Sequence, residues 1–329
     1  RRQIATVVGR NLQVLASMDG LDEKVYKEKV LPAILKQFVL SKDTISQEHL
    51  LDFFIQGISA DFHLKTLKPL LRTIGKLQPD VDVKQIMVSF IERMTVYIAG
   101  EDVKSDVFPN FFDNVKAMVE KRPDLVTEDV IAMCNALVDM ALKCYRAKPE
   151  YVDQILSFAN ERCTATISGR PLIEQVIKLL RIPLEAYKNI LNVIPLANYP
   201  LLLAKLGTDQ QKRIANDIVK NVGDHQTYVK TIEQAQVLLG YVSVLVGDGK
   251  KEEDLDQEDL ASEQNQLTKL FHVFRAVDIE QQLGMLKLVK DKVLAAEKAR
   301  LKYTGPGLVF AFLRFASFIH HSKDEVEEW

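Results

Sequence analysis

"VDVKQIMVSFIERMTVYIAG", residues 81–100, decides how the rest of the chain reads. Its apolar positions fall at Val83, Ile86, Met87, Phe90, Ile91, Met94 and Tyr97, an i, i+3, i+4, i+7 series. Such a series lines one face of a helix, whereas a half-buried strand would alternate every second residue. The same period returns in 127–145 at Val130, Cys134, Leu137, Val138, Ala141, Leu142 and Tyr145. Period-two alternation is nearly absent. The one strand-like run, "YVSVLV" at 241–246, continues a helical series from Ile232, Ala235, Leu238 and Leu239.

The ends of the periodic segments carry their own signals. "TISQ" (Thr44, Gln47), "TDQQ" (Thr208, Gln211) and "TIEQ" (Thr231, Gln234) match the capping box, in which a hydroxyl and an amide serve backbone N–H groups that lack an intrahelical partner. Pro171 and Pro183 suit first helical turns, where a missing N–H costs nothing. Gly20, Gly75, Gly100, Gly207, Gly223 and Gly247 follow periodic segments, where left-handed C-terminal caps are expected. Bounded in this way, the sequence predicts about sixteen helices, near 3–18, 22–40, 44–57, 61–76, 80–98, 105–121, 127–145, 149–165, 171–181, 183–194, 196–206, 208–222, 231–247, 256–275, 278–297 and 304–321. Short connectors make successive helices antiparallel neighbours, about eight hairpins of roughly 40 residues each. The expected fold class is all-α, a right-handed α-solenoid of HEAT-like hairpins in which each apolar stripe is covered by the adjacent hairpins. It reads as one continuous array over 1–329, with a candidate sub-boundary at the acidic connector 247–260.

Charge names no partner. There are 43 basic and 45 acidic residues, net −2, so no strong field draws the chain to nucleic acid or to anionic lipid. Any membrane association is expected to be peripheral and through partners. The most apolar run, "GLVFAFLRFASFI" at 307–319, contains Arg314 and is shorter than the ~18–20 residues of a membrane span. The first residues, "RRQIATVVGRNLQ", lack an initiator Met and an apolar signal core, and the chain is expected to be a fragment. Three cysteines, Cys134, Cys144 and Cys163, with no C-x-x-C pair, argue against a disulfide framework and for a reducing compartment.

The stretch that looks most like a site is "GDGKKEEDLDQEDL", residues 247–260. A calcium loop with Gly249 at its sixth position would place Val244, Val246, Asp248 and Leu255 at ligand positions, and three of these cannot bind a hard cation. A phosphate loop fails because Gly249-Lys250 is followed by Lys251 and Val244 stands where its first glycine belongs. A solvated acidic connector leading into a helix is the expectation. Among the histidines, His49, His63, His225, His272, His320 and His321, no H-E-x-x-H occurs, and adjacent residues such as His320 and His321 point ~100° apart on a helix. Neither G-x-S-x-G nor G-x-G-x-x-G is present, and Cys134 and Cys163 sit on apolar faces as core thiols. The chain is expected to be no enzyme, with no catalytic, cofactor-binding or metal residues and no cofactor. A helical repeat array of this kind is a scaffold or a binding surface.

Four segments narrow that class. "DFHLKTLKPLL" (61–71) resembles an F-H-L-x-T-L-x-P core, and "LLRIPLEAYKNIL" (179–191) resembles L-L-K-I-P-x-x-x-Y-x-N-I-L. "EDLASEQNQLTKLFHVFR" (258–275) resembles an acidic run, then E-Q, then a helix of the F-I-H-L kind, and "KYTGPGLVFAFLRFA" (302–316) resembles an F-T-x-P-x-L-V-F helix start. "MALKCY" and "EYVDQIL", within 140–156, fit as well. Together, and in order, they resemble the large α-solenoid subunit of retromer, the endosomal vacuolar-protein-sorting complex. Gly307 stands where that family tends to have a second proline, and the segment 98–106 is shorter than in the family.

The resemblance implies a scaffold in retrograde transport of transmembrane cargo from endosomes to the Golgi or plasma membrane, cytoplasmic and peripheral on the cytosolic face of endosomes. It implies as partners an arrestin-like subunit, mainly upstream, since no P-R-L-Y-L-M motif occurs here, and a phosphoesterase-fold subunit, mainly downstream. Sorting nexins and a Rab GTPase complete the set. Partner-binding candidates near the implied platform are Glu263, Gln264, His272, Arg275, Tyr303 and Phe310. Two alternatives stay open on the residues alone. Another HEAT-type adaptor, such as a nuclear transport receptor or phosphatase scaffold, would carry acidic or Trp/Asn ladders, and a helical prenyl-chain cyclase would carry a D-D-x-x-D box; neither pattern is visible.

Overall fold

The structure, a computed structural model, describes residues 23–100, 106–247, 257–296 and 298–327, with residues 11 and 14, leaving aside the side chains of 23, 257–259, 298–299 and 321–327. The expected first helix at 3–18, residues 248–256 of the acidic connector, the shortened junction at 101–105 and the His321 side chain lie outside the described residues. The fold is all-α. Among the described residues there is no strand, only an isolated bridge between Val229 and Phe274.

The chain divides into two compact units, Arg1–Tyr151 and Val152–Trp329. In the first, a helical turn Glu23–Val25 and a π-helical turn Tyr26–Val30 run into α1 (Leu31–Leu40), followed by α2 (Thr44–Gly57), α3 (Ala60–Lys65), α4 (Leu67–Ile74), α5 (Val83–Gly100), α6 (Phe108–Glu120) and α7 (Thr127–Cys144). α8 (Pro149–Arg162) comes next, and the second unit continues with α9 (Arg170–Tyr187), α10 (Asn198–Leu203), α11 (Thr208–Asp224), α12 (Ile232–Tyr241), α13 (Ser243–Val246), α14 (Gln257–Leu270), α15 (Ile279–Leu294) and α16 (Lys298–Glu327).

Within each unit, a helix packs on its equivalent in the next hairpin. In the first unit α1, α4 and α6 form one layer and α2, α5 and α7 the other. In the second, α9, α11, α14 and α16 form one layer and α10, α12 and α15 the other. This order of packing is that of an α-solenoid, in which a hairpin covers its apolar stripe only by meeting its neighbours. α5 shows why residues 81–100 are diagnostic. Val83, Ile86, Met87, Phe90, Ile91 and Met94 are buried as the period requires, joined by Thr95 and Ile98, while Tyr97 is half-buried and Val96 is 75% exposed. α7 is buried more widely, with Ile131, Met133 and Met140 added to the expected stripe.

Several boundaries differ from expectation, each for a local reason. The predicted helix at 61–76 breaks at Thr66, whose φ of −123° leaves the helix and whose hydroxyl donates to the Phe62 carbonyl. Pro69 has no N–H for the Lys65 carbonyl and is tolerated because it lies in the first turn of α4. Pro183, expected at a helix start, sits inside α9 and is buried. The helix ends later, at Tyr187, where Lys188 takes a left-handed conformation. The helix across 231–247 is interrupted at Val242. The last helix starts at Lys298, not 304, and runs through Pro306.

The capping boxes hold at one of three places. Thr231 accepts from the Gln234 N–H, and Gln234 in return accepts from the Lys230 N–H. At α2 the cap is Asp43, which accepts from the Ser46 N–H, and this frees Gln47 to be buried. There its amide donates to the Phe38 and Ser41 carbonyls, and its oxygen accepts from the Gln78 N–H. At α11 the cap position is Gly207, and Gln211 donates to the Leu206 carbonyl.

Nor do the described glycines among those predicted supply left-handed C-terminal caps. Gly75 closes α4 in a right-handed conformation, and Gly169 is the described glycine with positive φ. The final carbonyls of several helices are served instead by long side chains from about one hairpin further along the sequence. Arg93 donates to the Gln56 and Ile58 carbonyls at the end of α2, separations of 37 and 35 residues. Arg122, 3% exposed, reaches the carbonyls of Ile74, Leu77, Gln78 and Pro79 and pairs with Asp124. Lys205 donates to the Asn160 and Cys163 carbonyls, separations of 45 and 42, and Asn221 to the Leu184 carbonyl at 37. The recurrence of this spacing near the hairpin length ties these hairpins to their neighbours by directed bonds as well as by apolar burial.

Candidate partner-binding groove

Two of the six partner-binding candidates, His272 and Arg275, lie at the junction of α14 with α15, and Glu263 and Gln264 lie within α14. α14 ends at Leu270, and Phe271–Val273 form a single 3-10 turn before Phe274 turns extended. Two clamps hold the extended segment 273–276. The Val229 N–H donates to the Val273 carbonyl and the Arg275 N–H donates to the Val229 carbonyl, both at 2.9 Å. On the other side Gln282 of α15 accepts from the Ala276 N–H at 2.7 Å and donates to the Phe274 carbonyl at 2.9 Å. Asp278 then starts α15 by accepting from the Gln281 N–H.

The clamped segment forms one wall of a groove of about 280 Å³, and Leu286 of α15 and one face of α16 complete it. Phe274, Leu286, Ala311 and Phe315 are buried and make the apolar floor. Arg275, Arg314 and Phe318 stand exposed at the rim with His272. The Arg275 guanidinium lies 4.4 Å from the centre of the Tyr228 ring, and its Nε donates to the His272 carbonyl. Among the described residues, no Asp or Glu lines the groove. The His272 imidazole is pushed below its ordinary value, first by partial burial and then by the charges of Arg314 and Arg275. On another face of α16, Leu308, Leu313, Ala316 and Ile319 line a second, more apolar cleft.

His272 and Arg275 are thus brought together at the groove. Glu263 is half-buried on α14, 3.4 Å from the Lys212 ammonium. Gln264 is fully buried, and its amide donates at 2.7 Å to the Leu245 carbonyl, an acceptor it shares with the buried Arg300 guanidinium. Tyr303 is half-buried on α16, with the Lys302 ammonium 5.5 Å from its ring centre. Phe310 is 65% exposed on α16, outside the groove. The residues that sequence reasoning left out are Gln282, Arg314 and Phe318. For Arg314 a signal existed, as the one charge inside the apolar run 307–319.

Cys134 and Cys163 are buried, and burial raises the Cys163 thiol above its ordinary value. Among the described residues no three His, Cys, Asp or Glu side chains converge as metal ligands, and no helix is long and apolar enough to cross a membrane.

Comparison with known proteins gives a consistent picture along the whole chain. The family model described as vacuolar protein sorting-associated protein 35 matches residues 1–329. The protein of that name from Dictyostelium discoideum is 32% identical over 99% of this chain, and vacuolar protein sorting-associated protein 35C of Arabidopsis thaliana is 31% identical over 95%. The Schizosaccharomyces pombe protein is 25% identical over 94%. The chain spans 43%, 41% and 42% of the length of these three relatives.

Proposed function

We propose, because this chain belongs to the vacuolar protein sorting-associated protein 35 family, that it is a scaffold segment of the retromer coat. In this reading it does no chemistry. It gathers an arrestin-like subunit, a phosphoesterase-fold subunit, sorting nexins and a Rab GTPase on the cytosolic face of endosomes, so that transmembrane cargo is returned to the Golgi or the plasma membrane. Membrane contact comes through those partners, in keeping with a net charge of −2. The observation that carries the reading is the family match over residues 1–329. The packing supports it: within each unit the hairpins stack in order, as in repeat scaffolds. The six candidates Glu263, Gln264, His272, Arg275, Tyr303 and Phe310 remain proposed partner-binding positions, with Gln264 acting from the interior by holding Leu245.

The test is cellular. Depleting the protein and following a recycled transmembrane cargo by surface biotinylation should leave that cargo in endosomes, with recovery on re-expression. Unchanged cargo distribution would overturn the proposal.

A further inference from the structure

We propose that the groove beside Phe271–Ala276 seats a short peptide segment of a partner protein, with one large apolar side chain in the cleft and carboxylates on either side of it. Its volume of about 280 Å³ sets the scale. This falls just below the ~300 Å³ at which small-molecule and cofactor sites begin, so the space suits one or two side chains of a longer ligand. The floor is ready for an apolar anchor, since Phe274, Leu286 and Phe315 are at most 8% exposed and yet open to the cleft. Phe318, 46% exposed at the rim, gains cover when the anchor is in place.

Charge complementarity selects the flanks. Arg275 and Arg314 both border the cleft, and among the described residues no carboxylate lines it and neither guanidinium has an acidic partner. Two guanidiniums beside an apolar floor favour carboxylates, which they hold with charge-assisted hydrogen bonds, and disfavour basic peptides. The site is also preorganised. Val229 and Gln282 fix the backbone of 273–276 from both sides, so little ordering remains to be done on binding. The second cleft on α16 has no such guanidinium pair.

The inference goes beyond the scaffold reading, and the two fail separately, because peptide binding is read on this chain alone whereas the scaffold reading is tested by cargo distribution in cells. The experiment is fluorescence anisotropy on this chain with a labelled peptide of one central phenylalanine flanked by glutamates. Control peptides carry alanine for the phenylalanine or glutamine for the glutamates, and vesicles of phosphatidylserine form a separate arm. The acidic phenylalanine peptide should bind alone among these probes. Arg314→Glu should weaken it by more than about tenfold, and added salt should weaken it further. Arg314 is exposed, so the variant should keep the native urea midpoint, and Arg314→Gln gives a milder loss should the charge reversal unfold the chain. Equal binding of either control peptide, insensitivity to Arg314→Gln, absence of any binding, or binding of the vesicles alone would overturn the proposal.

Discussion

His63 sits where a histidine is least able to hold a proton. It is fully buried between Phe54 and Phe90, whose ring centres lie 5.2 and 5.7 Å away, and its Nε2 faces the Ile55 carbonyl at 3.2 Å. Burial lowers its pKa to about 4. The unfolded chain, with a value near 6.5, therefore binds the proton better, and stability falls as pH drops from about 6.5 towards 4. Between pH 7 and 5 this one residue should cost about 2 kcal/mol, and His63→Gln, which keeps a donor for Ile55, should remove that part of the slope in urea titrations. An unchanged slope would show that His63 is not buried neutral. Phe90 belongs to the same ring cluster and is 0% exposed, so Phe90→Ala should cost ~3–5 kcal/mol, whereas Glu120→Ala on the exposed side of α6 should stay within about ±0.5 kcal/mol. Equal melting shifts for the two would contradict the assignment of faces.

Among the elements, the carbonyl-serving side chains and one close backbone approach matter most. Arg122 ties the end of α6 to the end of α4 through four carbonyls and Asp124. Arg122→Met should lower stability by about 2–4 kcal/mol, and Arg122→Lys should recover little, because a single ammonium cannot span a planar array of acceptors. Full recovery by lysine would reduce the bond network to simple charge. Gly307 lets α16 approach α14 so closely that an added Cβ would meet the Thr268 methyl at 1.9 Å. Gly307→Ala should therefore cost about 1–3 kcal/mol, and Thr268→Ser in the same chain should return part of it. Additive losses in the double variant would deny the contact. The sequence marked Gly307 as a departure from a family pattern, but the glycine's reason is the neighbouring helix, which no local signal reveals.

For the chain taken entire, the helical class, the hairpin period and the identity of most core positions were legible because a 3.6-residue apolar stripe is a local record of burial. Val83 through Met94 in α5 illustrate this. The groove was legible only in part. His272 and Arg275 could be singled out, whereas Arg314 and Gln282 join them through the folding of α15 and α16 onto the end of α14, a juxtaposition of residues up to 42 positions apart that periodicity does not encode. The proposed role is that of a non-catalytic scaffold in a retromer coat. Affinity purification of the longer native protein from cells, with quantitative mass spectrometry, is its sharpest test. A scaffold should bring down an arrestin-like and a phosphoesterase-fold subunit in amounts equal to the bait; a purified bait lacking both would refute the role.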